Sequence, residues 1–172
     1  MSAKVLMDVG EYLRTSFEGP DCEYLDGEVV ERNMGELPHS DVQLTLAYLL
    51  KQLRAPLGIR VGVEIRVRIS PTRYRVPDVA VWRNDEIGDR IPTVAPFLVA
   101  EILSPEDRMT RVQPKIAEYL SIGVAWIWVV DPIEKNALIF SQNNPAGVLT
   151  ETLRTANPVI EIPLAKALDI NS

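Results

Sequence analysis

Two apolar runs of strand length constrain this chain most: Phe97-Leu98-Val99-Ala100-Glu101-Ile102-Leu103 and Ala125-Trp126-Ile127-Trp128-Val129-Val130. Their near-continuous apolarity marks strands buried on both faces, because a strand with one wet face alternates instead. A shorter run, Val79-Ala80-Val81-Trp82, ends a strand expected over Arg73 to Trp82. Helical spacing of Val42, Leu46, Leu49, Leu50 and Leu53 predicts a core helix over Ser40 to Arg54, with Ser40 and Gln43 in a capping-box pattern. A second helix is expected over Thr110 to Ser121, ended by Gly123. Between the first helix and Pro71-Thr72, Val61, Val63, Ile65, Val67 and Ile69 alternate with Gly62, Glu64, Arg66 and Arg68, as one strand would. The core order is therefore helix, strand, strand, strand, helix, strand, in an α/β (α+β, mixed-sheet) chain. At 172 residues, 47% hydrophobic and 24% charged, one domain over 1–172 is the expectation.

Smaller elements frame this core. Met7 to Thr15 fits a short amphipathic helix, and Asp26-Gly27 between apolar pairs signals an N-terminal hairpin. A C-terminal hairpin is expected from strands near Leu138 to Phe140 and Val148 to Leu153, joined by an Asn143 to Gly147 turn. Cys22 is the only cysteine, so no intrachain disulfide can form. With no leader and no bilayer-length apolar stretch, a cytoplasmic protein without membrane association is expected. The net charge of −6 has the wrong sign for non-specific attraction to phosphate backbones, so any nucleic-acid contact needs grouped basic residues.

Two acids stand where burial is costly. Glu101 interrupts an apolar strand, and an ionised carboxylate there needs a cation or several donors. Asp78 follows Pro77 at the start of another core strand. Adjacent strands could bring them together around one hard cation, and Mg²⁺ suits one or two carboxylates with retained waters. The alternative is a buried ion pair of Glu101 with Arg75 or Arg108, with Asp78 capping the Pro-Asp turn. Glu64 is either a third acid of such a site or part of a charge ladder with Arg66 and Arg68. His39, the only histidine, could orient water or contact phosphate, or simply sit at the helix entry. Gln113 is a possible active-site polar group, although Thr110-Arg111-Val112-Gln113 also fits a capping box. Arg60, Arg66, Arg68, Arg73 and Arg75 fall close together in sequence and could bind phosphates or form a solvated hairpin face. Trp82, Trp126 and Trp128 fit core anchors better than base-stacking platforms.

Several segments, in order, resemble the Uma2 family of the PD-(D/E)xK, restriction-endonuclease-like superfamily. They are Tyr24-Leu-Asp-Gly-Glu28, His39, Arg75-Val-Pro-Asp-Val-Ala-Val81, Glu101-Ile-Leu-Ser-Pro105, Lys115 with Tyr119, Gly123-Val124, and Trp126-x-Trp-Val-Val-Asp-Pro132. The resemblance implies a mixed sheet flanked by helices, with Asp78, Glu101 and the main-chain carbonyl of Ile102 as metal ligands. The superfamily's namesake lysine would stand where this chain has Leu103. Lys115, at the edge of the apolar face formed by Met109, Val112, Ile116, Tyr119 and Leu120, is the substitute the resemblance implies; a lysine snorkelling beside the core is the alternative. The implied function is metal-dependent hydrolysis of DNA phosphodiester bonds, with Mg²⁺ as cofactor and Mn²⁺ able to substitute. A nuclease-fold module with a binding or regulatory role is the competing expectation. A double-strand cut needs two active sites, so a homodimer paired through the terminal hairpins is also expected.

Overall fold

In chain order the elements are α1 (Val9–Arg14), β1 (Glu23–Leu25), β2 (Glu28–Val30), α2 (Leu37–Gln52), α3 (Arg54–Leu57), β3 (Ile59–Val63), β4 (Val67–Ser70), β5 (Arg73–Arg75) and β6 (Val79–Arg83). There follow β7 (Leu98–Ile102), α4 (Met109–Ser121), β8 (Trp126–Asp131), β9 (Asn136–Ser141), β10 (Asn144–Thr150), β11 (Thr152–Thr155), β12 (Ile160–Pro163) and α5 (Leu164–Ala167). This computed structural model describes residues 6–33, 35–87, 91–105 and 109–169. The main sheet has six strands in the order β10-β9-β8-β7-β6-β3. Only β7 and β8 run parallel within it, and α4 is the crossover between them, as parallel neighbours require. The result is the mixed α/β architecture expected from the sequence, with the core elements in the expected order.

Strand parity sorts the sheet's side chains onto two faces. Val79, Val81, Leu98, Ala100, Trp128 and Val130 pack with Val42, Leu46 and Leu50 of α2. Ala80, Trp82, Val99, Ile127 and Val129 pack with Val112, Ile116 and Tyr119 of α4. Both faces of β7 are thus covered, and the all-buried pattern from Leu98 to Ile102 follows. Removing one such side chain, for example by Leu46→Ala, should cost about 2–5 kcal/mol. Gly123 stops α4 in the left-handed conformation, φ 89°. The N–H of Gly123 donates to Leu120 O and that of Val124 to Tyr119 O, the paired bonds of a Schellman ending.

Expectations need correction in four places. The single strand expected over Val61 to Ile69 is two strands in two sheets, broken at Glu64, whose φ is 53°. The strand expected over Arg73 to Trp82 is likewise broken around Pro77, which has no N–H to give a ladder. The segment between these breaks is a β4–β5 hairpin that joins β1 and β2 in a four-stranded sheet, β2-β1-β5-β4. Period-two alternation does not register a bend between strands, which is why the two looked continuous. Second, α2 starts at Leu37, with Glu36 at the cap and Pro38 in the first turn, so Ser40 is inside the helix. Third, Thr110 lies within α4, after Met109, and not at a cap position. Fourth, β10 already begins at Asn144 with a bulge before Val148, so the expected turn and strand in that region are redivided. The tryptophans are anchors: Trp82 Nε1 donates to Val94 O at 3.0 Å and Trp128 Nε1 to Arg154 O at 3.0 Å. Among the described residues, no helix is long and apolar enough to cross a membrane.

Candidate active site

Asp78 and Glu101 meet because of register. β6 and β7 pair antiparallel with Val79 opposite Ala100, and continuing that register by one residue sets Asp78 beside Glu101. Parity puts both on the α4 face, where Glu101 follows Val99 and Asp78 precedes Ala80. Both carboxylates are buried, and both line a cleft of about 440 Å³ shared with Ile102, His39, Arg32 and Lys115.

Asp78 is heavily partnered. Its Oδ2 accepts from the Ile102 N–H at 2.7 Å and lies 3.3 Å from His39 Nε2, and its Oδ1 accepts from Arg32 Nη2 at 2.6 Å. Its main-chain carbonyl accepts from Gln43 Nε2 at 3.1 Å, which is where the side chain expected in a capping box is engaged. Burial pushes Asp78 upward, but the hydrogen bond and charge of His39, the Arg32 guanidinium and the Ile102 N–H together hold its carboxyl below the ordinary range.

Glu101 shows the opposite balance. Its Oε1 accepts from the Tyr119 hydroxyl at 2.7 Å, while Lys115 Nζ stands 3.4 Å from Oε2. Burial raises its proton affinity, Lys115 lowers it and Asp78 raises it again, so the carboxyl sits above the usual glutamate range. Two adjacent carboxylates driven in opposite directions share one cleft. Lys115 also lies 3.0 Å from Glu23 Oε1. Burial lowers the proton affinity of Lys115, but Glu101 and Glu23 outweigh it and keep the ammonium charged. This inward reach follows from the edge position of Lys115 on α4.

The other candidates are distributed as follows. His39 reaches the cleft from the first turn of α2. Glu64 is at the margin, its Oε1 3.3 Å from Arg32 Nη1 and its side chain 40% exposed. It shares no strand with Arg66 or Arg68, so the expected ladder does not form. Gln113 is exposed on α4. Arg66 is bound to Asp21, Arg73 to Asp26 and Glu118, and Arg75 to Glu23 and Glu118. These three guanidiniums are engaged by carboxylates, whereas Arg68 is exposed on β4. Of the expected ion-pair partners for Glu101, Arg75 pairs elsewhere and Arg108 lies outside the described residues. Sequence reasoning missed Arg32, Glu23 and the hydroxyl of Tyr119; the Asp-Gly turn that brings Glu23 and Arg32 back past each other was the available signal.

The donor set fits a hard divalent cation. Two carboxylates on one face of adjacent strands suit an ion that keeps most of its waters, and a cation there would offset the burial that raises the proton affinity of Glu101. Among the described residues, no group of three or more His, Cys, Asp or Glu side chains is disposed as a full cage. Ile102 lines the cleft, with its N–H given to Asp78.

The sequence profile of Uma2, described as "Putative restriction endonuclease", matches residues 9–170. The chain belongs to the Uma2 family. Its fold is shared with a protein described as a putative nuclease belonging to DUF820 from Anabaena variabilis, at TM-score 0.80 and 21% identity, over 95% of this chain and 98% of that one. A chain of a DrdV–DNA complex aligns at TM-score 0.47 and 15% identity, over 77% of this chain and 11% of that one. No curated protein matches the chain. Within this Uma2 chain, the Asp78–Glu101 strand pair of the nuclease-like fold lines a cleft with several charged side chains.

Proposed function

We propose that this Uma2 protein is a metal-dependent endonuclease that hydrolyses DNA phosphodiester bonds at the Asp78–Glu101 cleft. The observation that carries the proposal is the juxtaposition of Asp78, Glu101 and a charged Lys115 in one cleft of a restriction-endonuclease-like chain. A divalent cation held by Asp78 and Glu101, Mg²⁺ or Mn²⁺, would supply Lewis-acid activation of water and offset charge on the phosphate. Lys115, kept protonated by Glu101 and Glu23, stabilises negative charge developing on the phosphate oxygens. Tyr119 holds the Glu101 carboxylate from behind through its hydroxyl. The Ile102 N–H fixes one oxygen of Asp78, and His39 approaches the same oxygen from α2. Arg32 and Arg111 line the cleft and add positive charge for a backbone phosphate in a chain whose net charge is −6.

Purified protein incubated with supercoiled, linear, single-stranded and branched DNA in Mg²⁺ or Mn²⁺ tests this. Cleavage should vanish in Asp78→Ala and Glu101→Ala and fall at least a hundredfold in Lys115→Ala. Activity that survives both carboxylate substitutions would remove the site from consideration. DNA binding without cleavage in any substrate would instead support the binding-module alternative, which the direct pairing of Asp78 with Arg32 favours.

A further inference from the structure

Helix α2 carries a second apolar stripe opposite the one it buries. Val42, Leu46 and Leu50 face the core, whereas Leu37, Leu44 and Tyr48 are 73%, 71% and 60% exposed. With Asp41 and Lys51, also exposed, they occupy 37, 41, 44, 48 and 51. These alternating steps of four and three residues are the a/d seam of a coiled coil. At 100° per residue the five positions fall within a band centred half a turn from Leu46.

The seam is self-complementary. When two copies pack antiparallel about a two-fold axis beside residue 46, Leu44 meets the partner's Tyr48, and Asp41 meets the partner's Lys51. The same contacts recur with the copies exchanged, as an isologous interface demands. Among the described residues neither Asp41 nor Lys51 makes an ion pair within its own chain. A parallel pairing would oppose like charges at both positions.

We propose that the exposed face of α2 is the dimer interface of this protein, with a second copy as its occupant in antiparallel register. The 16-residue helix is about 24 Å long, so the seam alone covers less than the roughly 800 Å² per partner of a standard interface. Association is therefore in the micromolar range, on the order of 1–100 µM. The same helix presents His39 to the cleft and Gln43 to the main-chain carbonyl of Asp78 on its inner side, so pairing would tie two clefts together. With seven residues from His39 to the axis in each copy, the two histidines stand roughly 21 Å apart along the seam. That a dimer addresses both strands of one duplex rests on the nuclease proposal; the pairing does not.

Sedimentation equilibrium of the full chain from about 1 to 200 µM should show a monomer–dimer equilibrium. Asp41→Lys and Lys51→Glu should each weaken it at least tenfold, and the double variant should return to within about threefold of wild type. Leu44→Glu should leave a monomer, with circular dichroism checking the fold. Asp41→Cys combined with Lys51→Cys should oxidise to a covalent dimer, whereas Asp41→Cys alone should not. A chain that is monomeric across the range, or a dimer indifferent to either charge reversal, would overturn the proposal. Neither readout uses nuclease activity, so failure to cleave DNA leaves the result intact.

Discussion

Arg66 and Arg32 are both largely buried guanidiniums facing an aspartate, and their surroundings differ. Arg66 makes a bidentate pair with Asp21 through Nε and Nη2, both at 2.7 Å, donates to the carbonyls of Tyr12 at 2.7 Å and Thr15 at 2.9 Å, and lies 4.2 Å over the Tyr12 ring. All three of its nitrogens are used. Arg32 donates to Asp78 through Nη2 at 2.6 Å, while among the described residues its buried Nη1 makes no well-formed hydrogen bond, only a 3.3 Å charge contact with Glu64. A saturated charge holds segments together: Arg66 ties α1 and the following loop to β4. An unsaturated one keeps electrostatic capacity for something else, and it lies in the cleft.

Breaking the saturated cluster should have the larger effect on stability. Arg66→Met strands Asp21 and the two carbonyls, and loss of one partner from a buried pair costs about 3 kcal/mol or more. Urea unfolding should show that loss, while Mn²⁺ titration of the folded protein should be unchanged. A loss below about 1 kcal/mol would remove the contrast between the two clusters.

The cleft should respond in the opposite direction. Glu101→Gln removes a carboxylate whose proton affinity burial has raised, and Lys115 keeps Glu23 as partner, so the variant should be more stable than wild type near neutral pH. The sign follows from linkage. A carboxyl raised in the folded state contributes stability below its ordinary range, and that contribution is lost as pH rises through its folded value. The wild-type deficit against Glu101→Gln should therefore open with rising pH and then level off. Asp78, held low, contributes in the reverse sense: its stability is present above the ordinary aspartate range and lost as pH falls through the folded value. Urea midpoints of wild type and Glu101→Gln across acid to neutral pH read this directly. A wild type more stable than the variant at neutral pH would contradict it.

Arg32 supplies a smaller effect. Its guanidinium occupies one oxygen of Asp78 and competes with any cation there. Arg32→Met should tighten Mn²⁺ binding about tenfold, or ~1.4 kcal/mol, by calorimetry. Unchanged or weaker binding would show that Arg32 is not a competitor.

The sequence made the juxtaposition legible and left its partners hidden. Asp78 and Glu101 stood out because each interrupts a strand that is otherwise core, and the edge position of Lys115 on α4 could be read from helical spacing. The turn at Asp26-Gly27 and the stop at Gly123 were readable because both rest on left-handed backbone, φ 53° and 99° at the turn and 89° at the stop. Arg32 and Glu23 were not, because they enter from a second sheet whose docking depends on the bends at Glu64 and Pro77. The carboxylate partners of the clustered arginines were hidden for the same reason. Arg73 and Arg75 lie near each other in sequence, but Glu118 from α4 and Glu23 from β1 meet them there, and no local pattern announces partners so far along the chain.

Glu64 touches the cleft only through Arg32, and it should give the smallest effect. Its carboxylate is 3.3 Å from Arg32, partly exposed, and outside the antiparallel register that joins Asp78 to Glu101. A pair whose carboxylate is partly exposed and 3.3 Å away contributes little, so Glu64→Ala should cost below about 1 kcal/mol. Alanine keeps the left-handed backbone at φ 53°, so the substitution isolates the carboxylate from the bend. Mn²⁺ affinity should stay within about twofold of wild type, because removing the contact leaves both strand carboxylates in place while loosening Arg32 only on its weaker side. A tenfold loss, about 1.4 kcal/mol, would instead make Glu64 a third acid of the cation site. The unsatisfied Nη1 of Arg32 would then belong to a guanidinium waiting to be displaced from both acids, and the cleft would extend from β6 and β7 to the end of β3.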